Sequence, residues 1–275
     1  MKVVIITASE RRHTFFRKAL ALDDNIEVLC SYCEGTEKSL GTLIDPENEG
    51  SEIQEYHVQC RMNAEKDFFL PFISLTQDNS NPRFIPRGDI NKEEHINHII
   101  ELRPELLVAY GCSMIKKPLI EYFSGRFLNV HLGLSPYYRG AGTNFWPLVN
   151  KEPEYVGATF MHIDPGTDTG EIIHQIRTEI FEGDTPHQIG NRLISEMAMI
   201  YIKIINNFHE LEPMKQLPVP DNSKLYKRKD FSVESVRSLY LNFSEGMIGD
   251  YLRKIDERIS KVPIIQNPMI TSGGI

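Results

Sequence analysis

Two short stretches of the chain carry residues suited to moving a proton. In FLNVHLGLSPYYRGAG, residues 127–142, Asn129 and His131 stand two apart within an apolar run. On a strand, that spacing puts both side chains on one face. An imidazole, with an ordinary pKa of about 6.5, takes and returns a proton near neutrality. An amide beside it offers N–H donors to a developing negative charge. Taken alone, a strand-end histidine is more commonly a hydrogen-bonded structural residue, and Asn129 equally suits neighbouring loop amides. The second stretch, HIDPGTDTGEII, sets Asp164 and Asp168 four apart among glycines. Two such carboxylates can hold a metal, cap a turn or act as an acid/base group. The run lacks the further oxygen ligands and closing Glu of a calcium loop, and turn formation is the leading explanation for either Asp by itself.

The elements that must position these residues are legible as alternating strands and helices. KVVIIT (2–7) is a continuous β-branched run of the kind found in central parallel strands. RHTFFRKALAL has helical periodicity and NIEVLCSY reads as a second strand, followed by a polar loop, EGTEKSLGTLIDPENEG. From Ser51 the chain is helix-like until Pro71; KEEHINHIIELRP is an amphipathic helix stopped by Pro104; ELLVAYG, a short helix KKPLIEYF and the strand RFLNVH follow. This order predicts an α/β fold with a mostly parallel, doubly wound sheet. YVGATFMHI and EIIHQIRTEI read as two strands joined by DPGTDTG, and a long helix opens at Thr185 and Pro186, an N-cap and a first helical residue. Pro213, Pro218 and Pro220 mark a boundary, giving a main domain over 1–210 and a short, mainly helical extension over 211–275.

Composition narrows the function. The 275 residues are 41% hydrophobic and 25% charged, enough to bury a sizeable core, and no apolar run approaches the ~18 to 20 residues that cross a bilayer. The apolar stretch at the N-terminus is six or seven residues long and runs into Arg11, Arg12 and His13, which is unlike a signal peptide; a cytoplasmic protein is expected. Net charge is −8, with about −10 in the first 210 residues and +2 in the remainder, so a general nucleic-acid surface is not expected. The one dense basic run, KLYKRKD, reads as a solvated linker. Cys30 and Cys33 form a lone C-x-x-C with no second pair at ligand spacing. Reduced thiols are therefore expected and no metal is assigned.

Together, NVHLGLSPYYRG and the later GATFMHIDPGTDTGEII resemble the folate-dependent formyltransferases. That family includes methionyl-tRNA, glycinamide ribonucleotide and sugar N-formyltransferases. The resemblance covers residues 100–205 well and the first hundred only in the order of elements. It implies a Rossmann-like formyltransferase fold, 10-formyltetrahydrofolate as the formyl donor, and Asn129, His131 and Asp168 as the catalytic three. An amine would attack the formyl carbon, Asn129 and His131 would steady the oxyanion, and His131, held by Asp168, would move the proton. No covalent nucleophile is required. By the same resemblance, the folate would lie against Leu107, Val108, Tyr110, Gly111, Met114 and Ile115, and against Asp164, Gly166 and Thr167. Core packing is the plainer role for Leu107 and Val108. One departure stands out: many members have Ser two residues after the His, where this chain has Gly133, and Ser135 falls where a Leu is usual.

The acceptor is narrowed by what the chain lacks. No Gly-rich phosphate loop follows the first strand, which argues against glycinamide ribonucleotide. The extension of about 65 residues reads helical and nearly charge-balanced, unlike the β-barrel domain of the tRNA enzymes. What remains is a small-molecule amine, with a nucleotide-linked amino sugar first. Arg11 and Arg12 are candidates to meet a phosphate or carboxylate, and Tyr137, Tyr138, Arg139 and Gly140, with Trp146 nearby, to meet a base or sugar. A methionyl-tRNA formyltransferase, a 10-formyltetrahydrofolate hydrolase and a non-catalytic Rossmann-like binding module are the alternatives. No G-x-G-x-x-G follows the first strand to support the last. A homo-oligomer is compatible with the sequence.

Overall fold

The computed structural model describes residues 1–37, 50–166 and 168–271; most of the polar loop expected after the second strand, and Thr167, lie outside the described residues. Val3 and Ile5 pack into one core and Val4 and Ile6 into another, so the first strand, β1 (Lys2–Ala8), is buried on both faces. Its uninterrupted apolar run is the sequence consequence of that double burial. On one side β1 pairs in parallel with β2 (Glu27–Glu34), which pairs with β3 (Pro82–Ile85). On the other side come β4 (Leu106–Tyr110) and β5 (Phe127–His131), also parallel.

A short β6 (Tyr138–Gly140) leaves this sheet, which is completed by β7 (Gly157–His162), antiparallel to β5, and β8 (Ile172–Arg177). The strand order is β3-β2-β1-β4-β5-β7-β8. The chain winds outward in both directions from β1 and β4, and a crevice opens beyond their carboxyl ends, where open α/β sheets collect ligands.

Helices α1 (Arg11–Leu20) and α2 (Glu52–Leu75) contribute Phe16, Leu20 and Phe69 to one core; α3 (Glu93–Leu102) and α4 (Lys117–Tyr122) contribute Ile99 and Leu119 to the other. The expected stop at Pro71 does not occur. Proline removes one helical hydrogen bond, but Phe69 is fully buried and Phe72 and Ile73 pack on the same core, so packing carries the helix to Leu75. The β3 strand, not anticipated, has a proline at its start and an exposed Phe84, an edge position where alternation is a weak signal. After α5 (Trp146–Val149) and β8, helix α6 (Pro186–Asn206) starts as expected. The Thr185 hydroxyl accepts from the Gln188 amide, and the Gln188 side chain accepts from that of Thr185.

Residues 211–271 hold a strand as well as helices. β9 (Lys224–Tyr226), within the stretch expected to be a linker, pairs in parallel with β6. Then come α7 (Val233–Ser244), α8 (Met247–Leu252), α9 (Ile255–Ser260) and α10 (Pro268–Thr271), the second expected helix being split in two near Lys254. This region lies against the main sheet: the Gln175 amide N–H donates to the Ile265 carbonyl and Ile265 N–H returns a bond to the Gln175 side chain, 2.7 and 2.9 Å. Among the described residues, no helix is long and apolar enough to cross a membrane.

Candidate active site

The parallel run from β4 to β5 ends at His131, and the antiparallel β7–β8 pair beside it carries the loop 163–171 back over the same edge. Because β5 is short and its last residues alternate, Asn129 and His131 reach the crevice while Leu128 and Val130 fill a core. His131 is buried, with Nδ1 3.3 Å from Asp168 Oδ1 and Nε2 3.2 Å from the Tyr138 carbonyl. A singly protonated ring can donate to one of these oxygens, and a doubly protonated ring to both. Asp168 is held in turn, its Oδ2 accepting from the Gly140 N–H at 2.9 Å.

The two loop aspartates divide their work. Asp164 builds the turn: its carboxylate accepts from the Gly166 N–H at 3.0 Å and from the Thr169 hydroxyl at 2.9 Å. Asp168, in the left-handed region at φ 52°, turns out of that loop toward His131. Aspartate is one of the few side chains that tolerate this conformation. The Asn129 side-chain amide has no hydrogen-bond partner among the described residues and lines the same cavity as His131 and Asp168.

Gly133 has a steric explanation. A Cβ at this position would lie 2.6 Å from the Thr143 Cβ and 2.7 Å from His131 Nε2, so any side chain would push on the His131 ring. The loop that follows is set from below by Thr159, whose hydroxyl donates to the Gly133 carbonyl at 2.6 Å and accepts from the Ser135 N–H at 3.0 Å.

The cavity holds about 650 Å³. On one side it is lined by Tyr110, Gly111, Met114, Ile115, Asp164 and Gly166, residues that the resemblance assigns to folate contact. Leu107 and Val108 are instead fully buried, one in each core, because the central strand has helices on both faces. On the other side Arg12 and Gly140 line it, whereas Arg11, Tyr137, Tyr138 and Arg139 do not. Tyr138 is buried, with its hydroxyl donating to Glu152 and accepting from Asn150, and the Tyr137 hydroxyl donates to the Pro263 carbonyl at 2.9 Å. Both tyrosines hold the fold behind the cavity. Trp146 does the same, its indole N–H donating to the Ala141 carbonyl at 2.9 Å.

Sequence reasoning missed much of the second wall, which comes from elements far apart in the chain. Arg12 pairs with Glu10 and lies 3.3 Å from Glu65, and Arg61 lies 3.3 Å from Glu10. Burial raises the Glu10 carboxyl pKa, but the guanidinium groups of Arg12 and Arg61 outweigh it and hold the net value down at about 2. Beside them, burial first and then cationic neighbours bring His13 to about 3, His57 to about 4 and His187 to about 3. The His57 and His187 rings are 4.7 Å apart, and His57 also meets Phe145 and Phe231. Among the described residues, no group of three or more His, Cys, Asp and Glu is placed to hold a metal ion. Cys30 and Cys33 are buried free thiols.

Comparison with known proteins bears on this geometry. The family model described as formyl transferase matches residues 52–205. The chain is 32% identical over 182 residues to a methionyl-tRNA formyltransferase of Desulforamulus reducens, covering 66% of this chain and 51% of that protein. It thus spans about half the length of the curated relatives it matches. Among solved structures, a phosphoribosylglycinamide formyltransferase from Anaplasma phagocytophilum has a TM-score of 0.54 at 13% identity, covering 82% of this chain and 98% of that one. A sugar N-formyltransferase from Shewanella has a TM-score of 0.53 at 19% identity, covering 84% and 78%. At those identities the two structures speak for the fold alone. With the matched model running from α2 to the end of α6, across β5 and the Asp168 loop, the chain belongs to the formyl transferase family.

Proposed function

We propose that the chain transfers a formyl group from 10-formyltetrahydrofolate to a primary amine on a small molecule, an amino sugar or its nucleotide-linked form. The observation that carries this reading is the meeting of Asn129, His131 and Asp168 at one cavity, beside the loop of residues 110–115. That loop suits a flat, partly apolar donor. Met114 is 72% exposed, an apolar side chain left at the rim, and Tyr110 and Ile115 form the wall beside it. Residues 110–115 and the loop of Asp164 and Gly166 would hold the donor, which supplies an activated formyl group.

The chain's own residues then divide the chemistry. The unpartnered Asn129 amide is available to donate to an oxygen that gains negative charge. His131, steadied through Nδ1 by Asp168, would take up at Nε2, the nitrogen that otherwise faces the Tyr138 carbonyl, the proton that the attacking amine must lose, and pass it to the departing nitrogen. Asp168 keeps the ring in one orientation, and the Gly140 N–H keeps Asp168 in place.

A small acceptor is supported by the cavity's size, within the range of roughly 300 to 1,000 Å³ usual for small-molecule sites. The second wall offers Phe145 and Phe231 for contact with a ring, and its arginines Arg12 and Arg61 already face Glu10 and Glu65. Residues 228–239 close that wall through Arg228, Phe231 and Leu239. Charged initiator tRNA is the second reading, favoured by the sequence relatives described as methionyl-tRNA formyltransferases.

The deciding assay offers 10-formyltetrahydrofolate with a panel of amino sugars, their nucleotide-linked forms, charged initiator tRNA, and water alone. Tetrahydrofolate release dependent on an amino sugar is the expected result. Release with tRNA alone moves the acceptor to the second reading, release with water alone makes the protein a hydrolase, and no release with any acceptor removes the activity.

A further inference from the structure

Both groups that bracket the His131–Asp168 pair come from one short strand. The Tyr138 carbonyl lies against His131 Nε2, and the Gly140 N–H donates to Asp168. That strand, β6, is outside the main sheet, and β9 is its paired neighbour among the described residues. Lys224 N–H donates to the Tyr137 carbonyl and Ala141 N–H to the Tyr226 carbonyl, both at 2.8 Å, and the Ser223 hydroxyl donates to the Pro136 carbonyl at 2.5 Å. Residues 223–226 therefore grip residues 136–141 along their length, from the side away from His131.

The grip is closest at Gly140. Its φ is +91°, and a Cβ there would lie 2.1 Å from the Tyr226 carbonyl oxygen, so glycine is required for the strands to meet. Tyr226 is itself fixed through its side chain. The ring lies on Trp146 with centroids 4.1 Å apart and planes 5° from parallel, and its hydroxyl accepts from Asn150 at 2.9 Å. Trp146 in turn ties to the Ala141 carbonyl. The Lys224 ammonium reaches Glu152 at 2.6 Å and the Tyr138 hydroxyl at 3.1 Å. Tyr226, Trp146 and Lys224 do not line the cavity. What they contribute to the His131–Asp168 pair therefore passes through β6 and the adjoining Ala141.

We infer that Tyr226 is a positioning residue for catalysis: by holding β9 against β6 it sets the Tyr138 carbonyl and the Gly140 N–H, and through them the orientation of His131 and Asp168. This makes the carboxyl-terminal region part of the reaction machinery. β9 is poorly placed to stabilise the fold through burial, since Leu225 is half exposed and Lys224 and Tyr226 are only partly covered. Loosening it should disturb the pair locally and leave the cores intact. A displacement of about 1 Å in such a support can cost on the order of a hundredfold in rate.

The inference rests on the proposed formyl transfer for its kinetic arm, and a second arm needs no substrate. Tyr226→Phe keeps the ring stack, Tyr226→Leu keeps apolar bulk, and Tyr226→Ala removes both; circular dichroism and thermal melting check folding. Where Ala fails to fold, Leu decides. Tyr226→Phe should retain most of the turnover, whereas Leu and Ala should lower kcat by about tenfold or more, with KM for the donor little changed. In histidine-labelled protein, the His131 ring nitrogen signals of the Leu and Ala variants should move toward those of Asp168→Ala, and those of Phe should stay with the wild type. A folded Leu variant with wild-type kcat overturns the inference, as does a loss of kcat with unmoved His131 signals. A wild type that transfers no formyl group, yet whose His131 signals depend on Tyr226, refutes the proposed activity and leaves the positioning role standing.

Discussion

The proton-moving role proposed for His131 rests on what sits on its two nitrogens. Asp168 on one side and the Tyr138 carbonyl on the other hold the ring edgewise, and the lack of a side chain at Gly133 leaves room for it. Deleting the ring should therefore remove the proton path and spare the fold. His131→Ala is expected to cut formyl transfer on the order of 10² or more, the usual contribution of acid–base help, while melting near the wild-type temperature. Near-normal transfer by this variant would falsify the assignment. Asp168→Asn keeps the size of the side chain but presents an amide to the ring, and should also be severely impaired. If its pH–rate profile matches the wild type, Asp168 has no part in the proton path.

At the scale of elements, the side of the cavity proposed to hold the donor depends on loops tied down from behind. The Glu34 carboxylate, at the end of β2 and fully buried, accepts from the Ser113 N–H at 2.5 Å, from the Ser113 hydroxyl at 2.8 Å and from the Gly88 N–H at 2.8 Å. Asn91 adds a bond to the Met114 carbonyl at 3.0 Å and one from the Lys116 N–H at 2.8 Å. Residues 113–116, between β4 and α4, are thus held by side chains of other elements. Glu34→Gln offers one acceptor oxygen where the native residue offers two, and leaves an amide N–H facing donors. We expect it to raise KM for 10-formyltetrahydrofolate more than it lowers kcat. Steady-state kinetics with the acceptor saturating provide the check, and an unchanged KM would detach Glu34 from the donor site.

For the whole molecule, the buried His13 and His174 and the half-buried His57 and His187 predict how stability responds to acid. Burial is the first cause in each case: His57 and His174 fall to about 4, and His13 and His187 to about 3. These groups stay neutral in the folded protein at pH values where the unfolded chain, with ordinary histidines near 6.5, binds protons. Unfolding then takes up protons, so stability rises with pH across this window. The contribution is fully present above about pH 6.5 and is lost progressively as pH falls toward 4 and then 3. Glu10, held at about 2, adds a further loss below its ordinary value of 4.5. The melting temperature should therefore decline from pH 7 to pH 5, and His57→Gln should flatten that decline. A variant with the full wild-type slope would show that His57 is not one of the groups responsible.

Much of this was legible from local pattern. Strand β1 announces itself as a β-branched run because it is buried on both faces, and α6 because Thr185, Pro186 and Gln188 cap it. Asn129, His131 and Asp168 could be singled out only because two short motifs, each ambiguous alone, together resemble one family. What stayed hidden depends on contacts between residues distant in the chain. Pro71 looks like a helix end until Phe69, Phe72 and Ile73 are seen packed on the core. Tyr137, Tyr138 and Trp146 look like ligand-facing aromatics, and only their partners Pro263, Glu152 and Tyr226 reveal them as supports. The basic run at 224–230 reads as a linker because its strand pairs with one 86 residues earlier. Residue types and short spacings marked Asn129, His131 and the two loop aspartates as candidates, since those properties belong to the local chain, and the resemblance of the two motifs to one family suggested their chemistry. Which side chains face the cavity, and which hold His131 in place, depended on folding, because hydrogen bonds and packing join partners that no local pattern connects.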